Sequence, residues 1–260
     1  MSRCPNCSAD LEFEYCSRCG QQRIHPQDLS ARHYFRGLAD EIATIHERFK
    51  TLRTLRTLLV PGSLSVEFLA GRRQPYLTPF KVYLVCAAIF FLAAPTAGFT
   101  LASMLEGDQS GTLSRVVSAT MAERDLDATL FNARFDVRVQ SVYTITLGAA
   151  AVIFALLLQW LFRKQRRPYG AHLIVALHYV AFMYLATIAA GLSRTAGLSV
   201  DLAAAAGYAV IAPYLMFAVK RVYAESTGVT LLKGAALLLL TIVLNNLASF
   251  SAIRLTLALV

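Results

Sequence analysis

The chain has little charge. Only 16% of its 260 residues are Asp, Glu, Lys or Arg, whereas soluble domains average about 25%. Hydrophobic residues make up 56% of the chain, above the roughly 45–50% of soluble domains. This composition is closer to that of membrane proteins. The N-terminus has no apolar h-region, which argues against a cleaved signal peptide. The first membrane helix is therefore expected to act as its own insertion signal.

The apolar part also lacks known catalytic patterns. It contains no HExxH motif and no Ser/His/Asp set, and no long apolar stretch has an acidic residue in its middle. Its few polar residues include His178, Asn245 and Asn246, which are candidates for an intramembrane polar site because such groups are costly in lipid. The alternative is that they only form hydrogen bonds between helices or pack in the interior. We therefore lean towards a protein that is not an enzyme.

Apolar residues cluster into stretches of about 20, the length that a helix needs to cross a hydrocarbon core of about 30 Å. Five such stretches span residues 80–99, 142–162, 171–191, 200–219 and 231–260. They predict an all-α polytopic membrane protein with a bundle of five transmembrane helices. Residues 114–138 also look helical and are expected to extend the second span outwards.

Lys and Arg are distributed unevenly between the two sides of this bundle. Nineteen of the 25 fall before the first stretch, between the second and third, or between the fourth and fifth, counting Lys81 and Lys233 at the edges of the first and fifth stretches. The positive-inside rule places that side in the cytoplasm. Five spans then put the N-terminus in the cytoplasm and the C-terminus outside, in the periplasm of a bacterium. The net charge of +9 is explained mostly by this topology.

Four of the five cysteines lie near the N-terminus as two CxxC pairs, Cys4 with Cys7 and Cys16 with Cys19. Two such pairs predict a zinc ribbon, because each CxxC turn presents two thiolates to one side of a tetrahedral Zn²⁺. Two disulfides would need an oxidising compartment, which the predicted cytoplasmic location disfavours. With all four positions filled by Cys, the zinc is expected to be structural. Cys86 is expected to be a packing residue.

The predicted ribbon, residues 1–27, carries three Arg and three acidic residues and is neutral apart from its histidine. It lacks the positive charge that supplies most nucleic-acid affinity, so a protein partner is expected and nucleic acid is not. Phe13 and Tyr15 are expected to form its small core.

Residues 28–78 are expected to form cytoplasmic helices at the membrane interface. Apolar residues recur every three or four positions over about 31–59 and predict an amphipathic helix. We favour a helix lying on the cytoplasmic leaflet; packing on the bundle or a coiled-coil face are the alternatives. Pro61-Gly62 then breaks the chain, and Ser63 is expected to cap a short helix over 64–70.

Arg72, Arg73 and Tyr76 precede the first span. The simpler interpretation is interfacial anchoring and control of topology. The alternative is a site for a lipid headgroup or another anion.

Three motifs, CPNC…YCSRCGQ, TLRTLLVPG and EFLAGRRQPYLTPFKVYL, together resemble a family of uncharacterised bacterial membrane proteins with a short N-terminal zinc ribbon. The resemblance covers about residues 4–95. Ser8 departs from it, since such knuckles often have Gly there. The shared positions in the second and third motifs are Pro61, Gly62, Gly71, Arg73, Tyr76 and Pro79. The resemblance implies a bacterial inner-membrane location and this architecture, but no activity.

Two hypotheses of function remain. The first is a non-enzymatic inner-membrane adaptor or scaffold, whose zinc ribbon contacts a protein partner and whose bundle, residues 79–260, contacts membrane lipids. The second is a protein that handles lipids or small solutes through the Arg72, Arg73 and Tyr76 region. The sequence leaves a homo-oligomer open.

Overall fold

A computed structural model describes residues 2–23, 25, 48–96, 100–108, 110–125 and 127–260. At the N-terminus, strand β1 (Ser2–Arg3) pairs antiparallel with strand β2 (Asp10–Leu11). The part of the predicted amphipathic helix before residue 48 lies outside the described residues.

The rest of the described chain is helical. Its α-helices are α1 (Arg48–Leu58), α2 (Ser63–Leu69), α3 (Pro79–Ala93), α4 (Leu101–Glu106), α5 (Thr112–Glu123), α6 (Ala128–Leu161), α7 (Tyr169–Thr195), α8 (Val200–Tyr223) and α9 (Thr227–Leu259). A short 3-10 turn, Arg163–Gln165, lies between α6 and α7. The prediction that the membrane part is all-α is confirmed.

Four helices, α6 to α9, are long and apolar enough to cross a membrane. The first predicted stretch forms α3, which has 15 residues and is shorter than the roughly 20 that a span needs. Helix length and hydropathy therefore support four of the five predicted spans.

The prediction that residues 114–138 are helical and extend the second span outwards is confirmed for most of this range, since α5 covers 114–123 and α6, which forms the second span, covers 128–138. These are two separate helices, however. Asp125 has a φ of +48°, which ends α5, and the Asp127 carboxylate then accepts hydrogen bonds from the backbone N–H groups of Thr129 and Leu130. Such a side-chain cap starts a new helix, so α6 begins at Ala128.

The chain forms two compact units. Unit 1 comprises residues Met1–Cys86, Ala151–Phe182 and Ala212–Leu239, and unit 2 comprises Ala87–Ala150, Met183–Ile211 and Leu240–Val260. Aromatic stacking marks the interior of unit 1: Phe182 lies on Tyr214 with ring centroids 3.5 Å apart.

Unit 2 contains two of the three predicted intramembrane polar residues. Asn245 Oδ1 accepts a 2.8 Å hydrogen bond from the Tyr143 hydroxyl, so it joins α9 to α6. Tyr143 in turn packs against Phe90 and Tyr184. The Asn246 amide instead donates to the Ile242 carbonyl of its own helix. The Asn245–Tyr143 hydrogen bond is of the kind that holds membrane helices together.

Candidate metal centre and the segment that supports it

The four N-terminal cysteines converge. Their sulfur atoms all lie within 4.8 Å of one another, and the Cys4–Cys19 and Cys7–Cys16 pairs are each separated by 3.6 Å. A disulfide would bring two sulfurs to about 2.05 Å, so these thiols are not bonded. A tetrahedral metal with sulfur ligands at about 2.3 Å places the sulfurs about 3.8 Å apart. The cluster has the dimensions of a site that could hold a metal ion.

Two similar backbone hairpins build this cluster. The N–H of Ser8 donates to the Cys4 carbonyl, and the N–H of Gly20 donates to the Cys16 carbonyl, both at 2.9 Å. Each donor stands four residues after the first Cys of its pair and is left-handed, with φ of +61° for Ser8 and +71° for Gly20. The two knuckles are thus an internal repeat, and Ser8 tolerates the backbone conformation that Gly adopts more readily.

The ionisation of the thiols fits a cation site. Burial alone raises the pKa of Cys19, but hydrogen bonds from the Asn6 side chain and the Gln21 backbone lower it to about 6. A backbone N–H from Ala9 lowers the pKa of Cys7, but burial and the neighbouring sulfurs raise it to about 12. Sulfurs this close cannot all carry negative charge without a cation among them. A bound cation would stabilise all four thiolates, which are the form that ligates metals.

The core of the ribbon is smaller than expected. It consists of Leu11 and the buried Cys4 and Cys16, with the other two cysteines partly buried around them. The expectation that Phe13 and Tyr15 form this core is wrong, since they are 71% and 59% exposed. The interior consists of the sulfur cluster and one leucine, and the two aromatic rings lie at the surface.

A glutamine that the sequence analysis missed fastens the ribbon to the rest of unit 1. Gln21 follows the second knuckle and is only 5% exposed. Its Oε1 accepts hydrogen bonds from the backbone N–H groups of Arg73 at 3.2 Å and Gln74 at 2.8 Å. The Cys-Gly-Gln end of the first motif was the only sequence signal for this contact.

Gln21 contacts what we call the anchor segment, residues 48–78, which comprises α1, α2 and the turns after each of them. Thr54 of α1 closes this segment on itself. Its Oγ1 accepts a 3.0 Å hydrogen bond from the Leu77 N–H and donates to the Lys50 carbonyl at 2.6 Å. The turn before α3 is therefore tied to α1.

The predicted anion-site residues have separate contacts within this segment. Arg72 makes two hydrogen bonds of 2.5 and 2.6 Å to the Glu67 carboxylate, which hold the pKa of Glu67 below its ordinary value. The Arg73 guanidinium lies over the Phe68 ring at 4.9 Å, and Tyr76 lies under Arg53. Because Arg72 is already paired with the Glu67 carboxylate, less positive charge is available there to bind an anion.

Pro61-Gly62 forms a tight turn against α8. Gly62 has a φ of +72°, and a Cβ at this position would lie 2.9 Å from the Cα and carbonyl oxygen of Ala218. Only glycine permits both the left-handed backbone and this close approach. Gly62 also occupies the N-cap position of α2, so the prediction that Ser63 caps this helix is wrong. The Ser63 hydroxyl instead accepts a hydrogen bond from Arg221.

His178 lies buried in unit 1 beside the anchor segment. Its Nδ1 is 3.0 Å from the Ser65 hydroxyl of α2, and the Phe68 ring meets it edge-on. Its Nε2 has no hydrogen-bond partner among the described residues. A cavity beside it has about 10 Å³ for the centre of a water-sized sphere, enough for about one water molecule. His178 in unit 1 and Asn245 in unit 2 have separate partners, and sequence reasoning missed Ser65.

The fold and the cysteine cluster together define a class: a helical membrane protein with a small four-cysteine module that could hold a metal ion. Residues 50–91 match the model of a family described as a protein of unknown function (DUF3667). The match runs from α1 into α3 and contains the Pro61-Gly62 turn and Ser65, but not the four N-terminal cysteines. No curated protein and no solved structure gives a significant match. The resemblance noted in the sequence thus extends to this segment.

Proposed function

We propose that this protein is a non-enzymatic adaptor of the bacterial inner membrane, whose N-terminal ribbon contacts a protein partner. The observation that carries the proposal is the attachment of the ribbon. Gln21 ties it to the anchor segment, directly before the membrane helices, while Phe13 and Tyr15 remain exposed. Exposed aromatic side chains on a rigid support are typical of the centre of a protein interface.

We assign structural Zn²⁺ to the cysteine cluster. Four thiolates in a tetrahedron suit Zn²⁺ or an iron–sulfur centre, and the short knuckles around a single leucine are typical of zinc ribbons. All four coordination positions would be taken by Cys, so no position is open for a reactive water. Metal analysis of the purified full chain should give about one zinc per chain; iron in its place would overturn the assignment.

We also propose five membrane crossings, with the N-terminus in the cytoplasm and the C-terminus in the periplasm. The distribution of Lys and Arg supports this orientation. The apolar helix α3 is divided between the two units in the same way as α6, α7, α8 and α9, which supports a fifth crossing. A C-terminal reporter that is active only outside the cytoplasm should be active, and an inactive one would overturn this topology.

The adaptor proposal is tested by crosslinking in cells with the full-length double variant Phe13→Ser/Tyr15→Ser. We expect this variant to lose a crosslinked partner that the wild type retains, while its metal content stays unchanged. Phe49→Ser is the matched control, because Phe49 is an exposed aromatic residue on α1, outside the ribbon. An identical set of partners for the double variant and the wild type would overturn the proposal.

The alternative, lipid or solute handling through Arg72, Arg73 and Tyr76, has less support. Arg72 already holds Glu67, and Arg73 lies on Phe68. The cavity at His178 has room for about one water molecule and is too small for a solute.

A further inference from the structure

A groove in unit 1 lies between the Pro61-Gly62 turn and the C-terminal end of α8. It has a volume of about 500 Å³, is open to the outside, and is lined by Pro61, Phe217, Lys220 and Arg221. We call it the turn groove. It differs from the predicted anion site in its residues and in its place on the anchor segment.

Two cations on this groove have neutral hydrogen-bond acceptors. The Arg221 guanidinium donates to the Pro61 carbonyl at 2.7 Å and to the Ser63 hydroxyl at 2.5 Å, and the Lys220 ammonium donates to the Thr227 hydroxyl at 2.9 Å. Within the described part of the chain, neither cation forms a salt bridge with a carboxylate. Both positive charges are therefore available to an external anion, unlike that of Arg72.

An apolar wall lies next to these charges. Phe217 is 62% exposed and stands one helical turn before Lys220 and Arg221, about 5 Å along α8. Leu59 and Val60, which lead into Pro61, are exposed as well. Because α8 is apolar enough to cross a membrane and ends in these two cations, Phe217 lies on the membrane side of the charges.

We propose that the turn groove binds an anionic phospholipid, with its phosphate at Lys220 and Arg221 and an acyl chain against Phe217. A free phosphate ion would use the two cations but would gain nothing from the apolar wall. A phospholipid fits both the cations and the apolar wall, because its charged headgroup is directly joined to its apolar acyl chains. This binding is independent of the ribbon, so the adaptor proposal and this one can fail separately.

The test uses the full chain in nanodiscs or detergent, titrated with phosphatidylglycerol and with phosphatidylcholine and followed by native mass spectrometry. We expect tighter binding of phosphatidylglycerol. Lys220→Gln should weaken it about fivefold, the effect of one basic residue near an anionic lipid surface. Phe217→Ala should weaken the binding of both lipids. Arg221 is left intact because its contacts also hold the Pro61-Gly62 turn.

Lys164→Gln is the matched control, because Lys164 is an exposed cation on the 3-10 turn between α6 and α7. It should leave the affinity for phosphatidylglycerol unchanged. If Lys220→Gln and Lys164→Gln reduced the affinity for phosphatidylglycerol equally, the lipid would be attracted by the overall positive charge of the protein. That result would overturn the proposed site. Displacement of the lipid by excess inorganic phosphate, with no effect of Phe217→Ala, would also overturn it in favour of a simple anion site.

Discussion

The ribbon and the anchor segment are each stabilised in a different way. All four cysteines of the ribbon lie within residues 4–19, and the interior of the ribbon is a set of sulfurs around one leucine. The anchor segment is held by residues more than a hundred positions away: Ser65 by His178, and the Leu58 carbonyl by the Tyr214 hydroxyl. The first region depends on local chemistry, while the second depends on how distant helices fit.

The largest expected effect is on the ribbon alone. Cys16→Ser removes one of the four ligands of the proposed zinc. Because structural zinc supplies about 10 kcal/mol or more of folding free energy in such modules, we expect the ribbon of this variant to lose its metal and unfold. Hydrogen exchange should then accelerate over residues 2–23, while α2 and α7 keep their protection. Ser17→Ala, at the exposed neighbouring position, is the control. Equal loss of protection in the anchor segment would contradict the separation of the two regions.

Gly62→Ala tests the fit of the anchor segment. The new methyl group would meet the backbone of Ala218, and the left-handed backbone adds further strain, so we expect a loss of about 2–5 kcal/mol in the free energy of unfolding. Gly111→Ala separates the two causes, because Gly111 also has positive φ but open space around it, and should cost only about 1–2 kcal/mol. Equal losses in thermal unfolding would show that contact with Ala218 is unimportant.

Ser65→Ala removes the hydrogen-bond partner of the buried His178. An unsatisfied buried polar group costs about 1–3 kcal/mol, so the melting temperature in detergent should fall by a corresponding amount. Ser118→Ala, on the exposed face of α5, should have almost no effect. An unchanged melting temperature for Ser65→Ala would mean that His178 has another partner.

Gln21→Ala tests the link between the two regions and should have the smallest effect, about 1 kcal/mol. The backbone N–H groups of Arg73 and Gln74 would lose their acceptor, so their hydrogen exchange should become faster while the metal content stays the same. The neighbouring exposed Gln22→Ala is the control. If exchange at Arg73 and Gln74 does not change, the ribbon is not fastened there.

The sequence predicted best those features whose cause is local. The CxxC spacing indicated the cysteine cluster, and the Pro61-Gly62 break and the four longer spans followed from backbone preference and hydropathy. The exposure of Phe13 and Tyr15 was not predictable, because it depends on how much volume the sulfurs leave inside the ribbon. The role of Gln21 was missed because one acceptor for two distant N–H groups leaves no periodic signal.

The sequence by itself thus determined that this is a helical membrane protein with four cysteines placed to hold a metal, since length, hydropathy and thiol spacing act over short stretches of chain. Only the tertiary structure decided that His178 faces Ser65, that Ala218 excludes a side chain at Gly62, and that Arg221 reaches Pro61. These contacts join residues 113 to 160 positions apart. They follow from the packing of whole helices, which no short stretch of sequence encodes.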